Sequence, residues 1–279
     1  MNYAKTAFLL VVLTAILMWL GSLFGGARGV IIAFSVAMVL NGVSYWYSDR
    51  IVLAMYKAKE LPRAEYSGLY ETVESLSASA GIPCPKVCMA EVAAPNAFAT
   101  GRNPENAALC LTRGAVDLLD EDELKGVISH ELAHVKNRDT LIMTVTAALA
   151  SAIMMIAYMA RWAAFFGGFS RDRRDSGNII GLLAVSILAP FAALLVQLAI
   201  SRSREYAADA GGAKIAGDPR GLARALEELA RFSKQRKFNV APQTAHLFIV
   251  QPLAGSFLAN LFSTHPPVEE RVKRLRSMA

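Results

Sequence analysis

"VISHELAHVKNRD", residues 127–139, sets two histidines four apart with a glutamate directly after the first. Just upstream, Asp120 with Glu123 three residues on has the spacing of a capping box. Leu124, Val127, Ile128, Leu132 and Val135 then recur at helical intervals. The stretch predicts an amphipathic helix running to about Asn137. On such a helix, residues four apart share a face, so His130 and His134 can offer two imidazole nitrogens to one ion. Glu131 falls on the neighbouring flank, where its carboxylate can reach a water held by that ion without being a ligand. Zinc in such a place lowers the pKa of the water towards 7, and the glutamate takes the proton as water attacks a carbonyl.

A catalytic zinc needs a third protein ligand and an open position. The chain has only four histidines, so a carboxylate is the natural candidate. "SRSREYAADAGG" (201–212) supplies Glu205 and, four residues on, Asp209. That spacing lets Glu205 bind the ion while Asp209 accepts a hydrogen bond from the far nitrogen of a ligand histidine, fixing its ring. His265, in "FSTHPPVEER", sits in a loop before a Pro-started helix. Folded over the site, it can donate to the oxyanion of a tetrahedral intermediate. His246, in "TAHLFIV", reads as structural.

Further out, the composition points to a membrane. Of 279 residues, 54% are hydrophobic and 19% charged, with a mean hydropathy of +0.35. A soluble domain carries about a quarter charged residues, and here the deficit is concentrated in four apolar blocks, at 7–24, 29–47, 140–160 and 179–200. Each has about twenty residues, enough to cross about 30 Å of hydrocarbon as a helix. The first block lacks a small-residue cleavage pattern and reads as a retained anchor, joined to the second through "GGARG". Trp19, Tyr45, Trp46 and Tyr47 fall near span ends, where amphipathic rings favour the interface.

The soluble stretches read as one α+β domain. "EYSGLYETVESLSASAG" (65–81) predicts a helix ended by Gly81. "KVCMAEV" and "AALCLT" predict short strands, with "APNAFATGRNPEN" between them as strand and turn. "DPRGLARALEELARFSKQRK" and "PPVEERVKRLRSM" predict two further helices. The expected organisation is an N-terminal transmembrane hairpin (1–47), a first catalytic part with the histidine helix (48–139), a second transmembrane hairpin (140–200) and a second catalytic part with the third ligand (201–279). The fold class is an α-helical membrane protein whose α+β catalytic domain is interrupted by a transmembrane helical hairpin.

Glu205 must rejoin His130 and His134 across two apolar blocks, which requires an even number of crossings. Lys5, Arg50, Lys57, Lys59, Lys136, Arg138, Arg202 and Arg204 then flank spans on the catalytic side. Arg28, Arg161, Arg171, Arg173 and Arg174 lie opposite. The imbalance places the site and the N-terminus in the cytoplasm. Cys84, Cys88 and Cys110 have no framework spacing, which suits a reducing compartment. The net charge is +6, and the basic residues are scattered except for "SRDRRD" (170–175) and "ERVKRLR" (270–276), with no aromatic-interleaved basic face, so no nucleic-acid partner is expected.

"SHELAHVKNRD", "SRSREYAAD" after two apolar segments, and "STHPPVEERVKRL" together resemble the HtpX-type membrane zinc metalloproteases, relatives of the CAAX prenyl endopeptidases. With the two leading spans, "APNAFATG" and the length, the resemblance covers nearly the whole chain. It implies a zincin-like (gluzincin) catalytic domain with one Zn²⁺ per chain. Glu205 is then the third ligand, Asp209 its partner in orienting a histidine, and His265 the residue of the family's S-T-H-P-type loop. Asn96 is implied on or beside a substrate-aligning edge; from the residues alone, an Asn after Pro95 reads equally as a turn residue. The implied job is endoproteolysis of misfolded or damaged membrane proteins or unfolded polypeptides, as stress-response quality control at the cytoplasmic face of the bacterial inner (plasma) membrane. Two other readings remain. A processing protease for lipidated C-termini would need an enclosed chamber, for which four spans are few. A non-hydrolytic membrane zinc-binding protein would have no use for Glu131.

Overall fold

The computed structural model describes residues 2–146, 153, 202–235, 247–250 and 266–279. The expected hairpin at 140–200 falls outside them apart from 140–146 and 153, and so do the loop 161–178, His246 and His265.

The first element, α1 (Asn2–Met55), is broken at Gly26, whose φ of 53° and ψ of −138° lie where a β-carbon is strained. The chain turns there. Asn41 Nδ2 donates to Thr14 Oγ1 at 3.0 Å across 27 residues, so the two halves lie against each other. Gly26–Tyr47, 22 residues with mean hydropathy 1.7, is the one helix among the described residues long and apolar enough to cross a bilayer; the apolar stretch Leu10–Trp19 is shorter.

Four strands follow: β1 (Lys59–Glu60), β2 (Lys86–Ala90), β3 (Ala97–Gly101) and β4 (Ala107–Thr112), in the order β1-β2-β4-β3. β2 and β4 run parallel, and the outer pairs are antiparallel. Alternation along the strands gives the sheet two apolar faces. Val87, Met89, Leu109 and Leu111 join the main core with Val127, Ile128 and Leu132. Cys88, Phe98, Ala108 and Cys110 face Val52 near the end of α1 and Leu247. The sheet therefore separates the end of the apolar helix from the helix that carries the histidines.

That helix is α4 (Glu121–Lys136), preceded by α2 (Ser67–Ala80), ending at Gly81, and the short α3 (Arg113–Leu118). The capping box is formed: Glu123 N donates to Asp120 Oδ1 at 2.8 Å, and Asp120 N to Glu123 Oε2 at 3.1 Å. Against α4 pack α5 (Arg202–Ala216) and α6 (Arg220–Gln235), with α7 (Val268–Arg276) behind them. α5 approaches closely because Gly212 has no side chain: a Cβ there would stand 2.9 Å from both Cα and N of His130.

Candidate metal centre

α4 presents His130 and His134 one turn apart, and α5 brings Glu205 and Asp209 opposite them; all four are buried. His130 Nε2 lies 3.9 Å from Glu205 Oε2, and His134 Nε2 lies 3.6 Å from Glu205 Oε1. The three donor atoms fall within 4.8 Å of one another and could hold a metal ion. A tetrahedral zinc with bonds of about 2.0–2.2 Å needs donors about 3.4 Å apart, so the set has to draw together to hold the ion. Two imidazoles and one carboxylate are also donors that suit zinc.

The rings are oriented from behind. Asp139 Oδ2 is hydrogen-bonded to His134 Nδ1 at 3.2 Å. Asp209 Oδ1 lies 3.0 Å from His130 Nδ1, at ion-pair distance though outside hydrogen-bond alignment. With each Nδ1 turned to a carboxylate, both Nε2 atoms are left facing Glu205. Burial opposes a charged His134, but the Asp139 contact and the charges of Glu205 and Glu131 raise its pKa to about 9. The pocket favours positive charge at this point, which a divalent cation supplies as well as a proton does.

Glu131 is buried beside the donor set, and its Oε2 accepts from the Ala99 N–H of edge strand β3 at 2.9 Å. Burial pushes its pKa up, against the pull of both histidines and of that N–H. Asn96, one residue before β3, is buried rather than solvated. Its amide donates to Leu247 O and accepts from Ile249 N, each at 3.1 Å, while its backbone pairs with Thr112. It thus ties residues 247–249 to the start of the edge strand, more than a plain turn residue does.

Sequence reasoning missed two residues. Asp139 returns to His134 because the chain turns at Arg138, which has a φ of 57°, and Asp139 N–H bonds to His134 O at 2.9 Å. An acid just past the end of the histidine helix was the available signal. Arg271 of α7 is 0% exposed. Its Nε and Nη2 grip both oxygens of Asp209 at 2.9 and 2.7 Å, and its Nη1 donates to Ile249 O at 2.9 Å and lies 3.8 Å from Glu205 Oε2. Burial pushes the Asp209 carboxyl up, but His130 and Arg271 more than reverse this and hold it at about 2. In sequence, Arg271 was one of several basic residues in the run "ERVKRLR" (270–276), with nothing to single it out.

Residues 64–279 match the family model "Peptidase family M48". A "Protease HtpX homolog" of Syntrophobacter fumaroxidans is 54% identical over 277 residues, covering 98% of each chain. Others, from Thermococcus kodakarensis and Persephonella marina, are 52% and 50% identical, covering 99% and 100% of this chain and 96% and 98% of their own. Among solved structures, the crystal structure of S. mikatae Ste24p superposes with a TM-score of 0.49 at 19% identity, over 98% of this chain and 65% of that one. The chain belongs to peptidase family M48 and, within it, to the HtpX-type membrane metalloproteases.

Proposed function

We propose that the protein is an integral-membrane zinc endopeptidase, with His130, His134 and Glu205 as ligands of one Zn²⁺ and Glu131 as general base. The observation that carries this is the convergence of two Nε2 atoms on Glu205 with the carboxylate of a fourth residue, Glu131, buried alongside. A pure binding site has no use for that carboxylate, which disfavours the non-hydrolytic reading.

When bound, the ion lowers the pKa of a water and polarises the scissile carbonyl. Glu131 takes the proton of the attacking water and delivers it to the leaving amine; its raised pKa suits a group that must do both. The Ala99 N–H holds the carboxylate at β3, an edge strand whose outer groups can pair with an extended polypeptide. Asn96 fixes the start of that edge. Asp209 and Asp139 keep the two rings turned, and His265 supplies the oxyanion donor. The substrates are misfolded or damaged membrane proteins, cut at the cytoplasmic face of the bacterial inner membrane. The apolar Gly26–Tyr47 helix, running into the catalytic domain, supports a site near the bilayer surface.

The test is Glu131→Gln in the purified full chain, assayed by single-turnover cleavage of a membrane-protein substrate with metal content measured on the same preparation. Cleavage is expected to fall by about 10²–10⁴ or more, with about one zinc per chain retained. His130→Ala/His134→Ala should lose the metal. A Glu131→Gln enzyme that still cleaves overturns the mechanism.

A further inference from the structure

Where α1 ends, a cavity of about 550 Å³ opens between the helix and the sheet face that carries Cys88, on the side away from the metal centre. Sites for small ligands commonly run to about 300–1,000 Å³. Trp46, Asp49, Arg50 and Leu53 line it from α1 at positions i, i+3, i+4 and i+7, so one helical face is turned into it. Arg102 and Glu105 enter from the connection between β3 and β4.

The charges are arranged in two kinds. The Arg102 guanidinium sits 4.9 Å from the Trp46 ring centroid, and that of Arg50 sits 5.6 Å from the Tyr47 centroid. Stacking uses the face of a guanidinium and leaves its in-plane N–H groups free to donate. Lys86 and Glu60, also in the lining, pair with each other at 4.0 Å. That leaves two arginines and two carboxylates, Asp49 and Glu105; among the described residues none of the four makes an ion pair. A ligand that satisfies all of them carries a phosphate and an ammonium together.

We propose that this cavity binds the headgroup of a zwitterionic phospholipid, the phosphodiester on Arg50 and Arg102 and a primary ammonium on Asp49 and Glu105. The position agrees with the chemistry. Trp46 and Tyr47 close the Gly26–Tyr47 helix, and aromatic rings at a span end lie at the level of lipid headgroups. A glycerol headgroup offers the same phosphodiester but no cation, so Asp49 and Glu105 would stay uncompensated, and a quaternary ammonium has no N–H for them to accept. The inference rests on the reading that Gly26–Tyr47 crosses the bilayer.

The full chain in detergent is titrated with phosphatidylethanolamine, phosphatidylglycerol or phosphatidylcholine, and bound lipid is counted by native mass spectrometry. Phosphatidylethanolamine is expected to bind about tenfold or more tightly than the other two. Arg50→Gln/Arg102→Gln should lower its binding by about tenfold. Asp49→Asn/Glu105→Gln should lower it too, while raising binding of phosphatidylglycerol. That opposite pair of responses does not arise from misfolding. Equal binding of the three lipids, or double variants that bind like the wild type, overturns the proposal. Soluble glycerophosphoethanolamine displacing the lipid at equal concentration would assign the cavity to a free headgroup and overturn the lipid source. Alkaline carbonate extraction of membranes tests the underlying reading separately. A wild-type protein released by carbonate overturns the span, whereas one that is retained yet shows no lipid preference overturns only the headgroup site.

Discussion

Arg271 holds together groups that would otherwise repel. Asp209 and Glu205 are both buried, and a single guanidinium meets one at 2.7 Å and the other at 3.8 Å. Removing one partner of a buried pair costs about 3–5 kcal/mol because the other charge stays uncompensated. Arg271→Ala should therefore destabilise the fold by about that amount and weaken metal retention. Arg271→Lys should restore only part of the loss, since an ammonium cannot grip both Asp209 oxygens. Thermal unfolding with and without metal measures both effects; an unchanged midpoint for Arg271→Ala would remove the ion pair from the account. The convergence of His130, His134 and Glu205 was legible because helical spacing is a local property and few other donors were available. Asp139 offered only its place just past the helix, since the turn at Arg138 that brings it back to His134 is not written in the spacing, and Arg271 offered nothing local, because the docking of α7 recruits it.

At the scale of elements, the distance between α4 and α5 sets the distance between ligands. Gly212 lies close against the His130 backbone, and a methyl group there has only backbone to displace. Gly212→Ala should push the helices apart, costing about 1–3 kcal/mol and lowering metal content in parallel. Gly211→Ala, whose Cβ would meet only the Ala133 Cβ at 3.1 Å, is the milder control. Equal metal content in the two variants would show that the crossing does not tune the site. The ends of α2 and α4 could be read from Gly81 and from the Asp120–Glu123 box because caps are written within a few residues. The two-residue β1, the six-residue α3 and the strand order β1-β2-β4-β3 could not, since pairing among short apolar strands is decided by partners far along the chain.

For the whole molecule, a shared site for Glu205 and the two histidines means that whatever the chain does between 140 and 200, it returns. We propose that it crosses the membrane and comes back, with 161–178 on the far side. Single cysteines at Ser67 and Ser176, with the exposed Cys84 replaced, test this with an impermeant thiol reagent. Position 176 should label in intact cells and position 67 only after the cells are opened; labelling of both from one side would remove the crossing. The order of these parts along the chain also carries a timetable. Ribosomes add about 5–20 residues per second, and Arg271 follows Glu205 by 271 − 205 = 66 residues, roughly 3–13 s of synthesis. Through that interval Glu205 and Asp209 stand without the cation that lies between them in the finished fold, and residues 247–249 lack the Arg271 contact to Ile249. A half-made chain emerging beside other nascent membrane proteins thus has its histidines, Glu205 and Asp209 before the arginine that joins the two carboxylates.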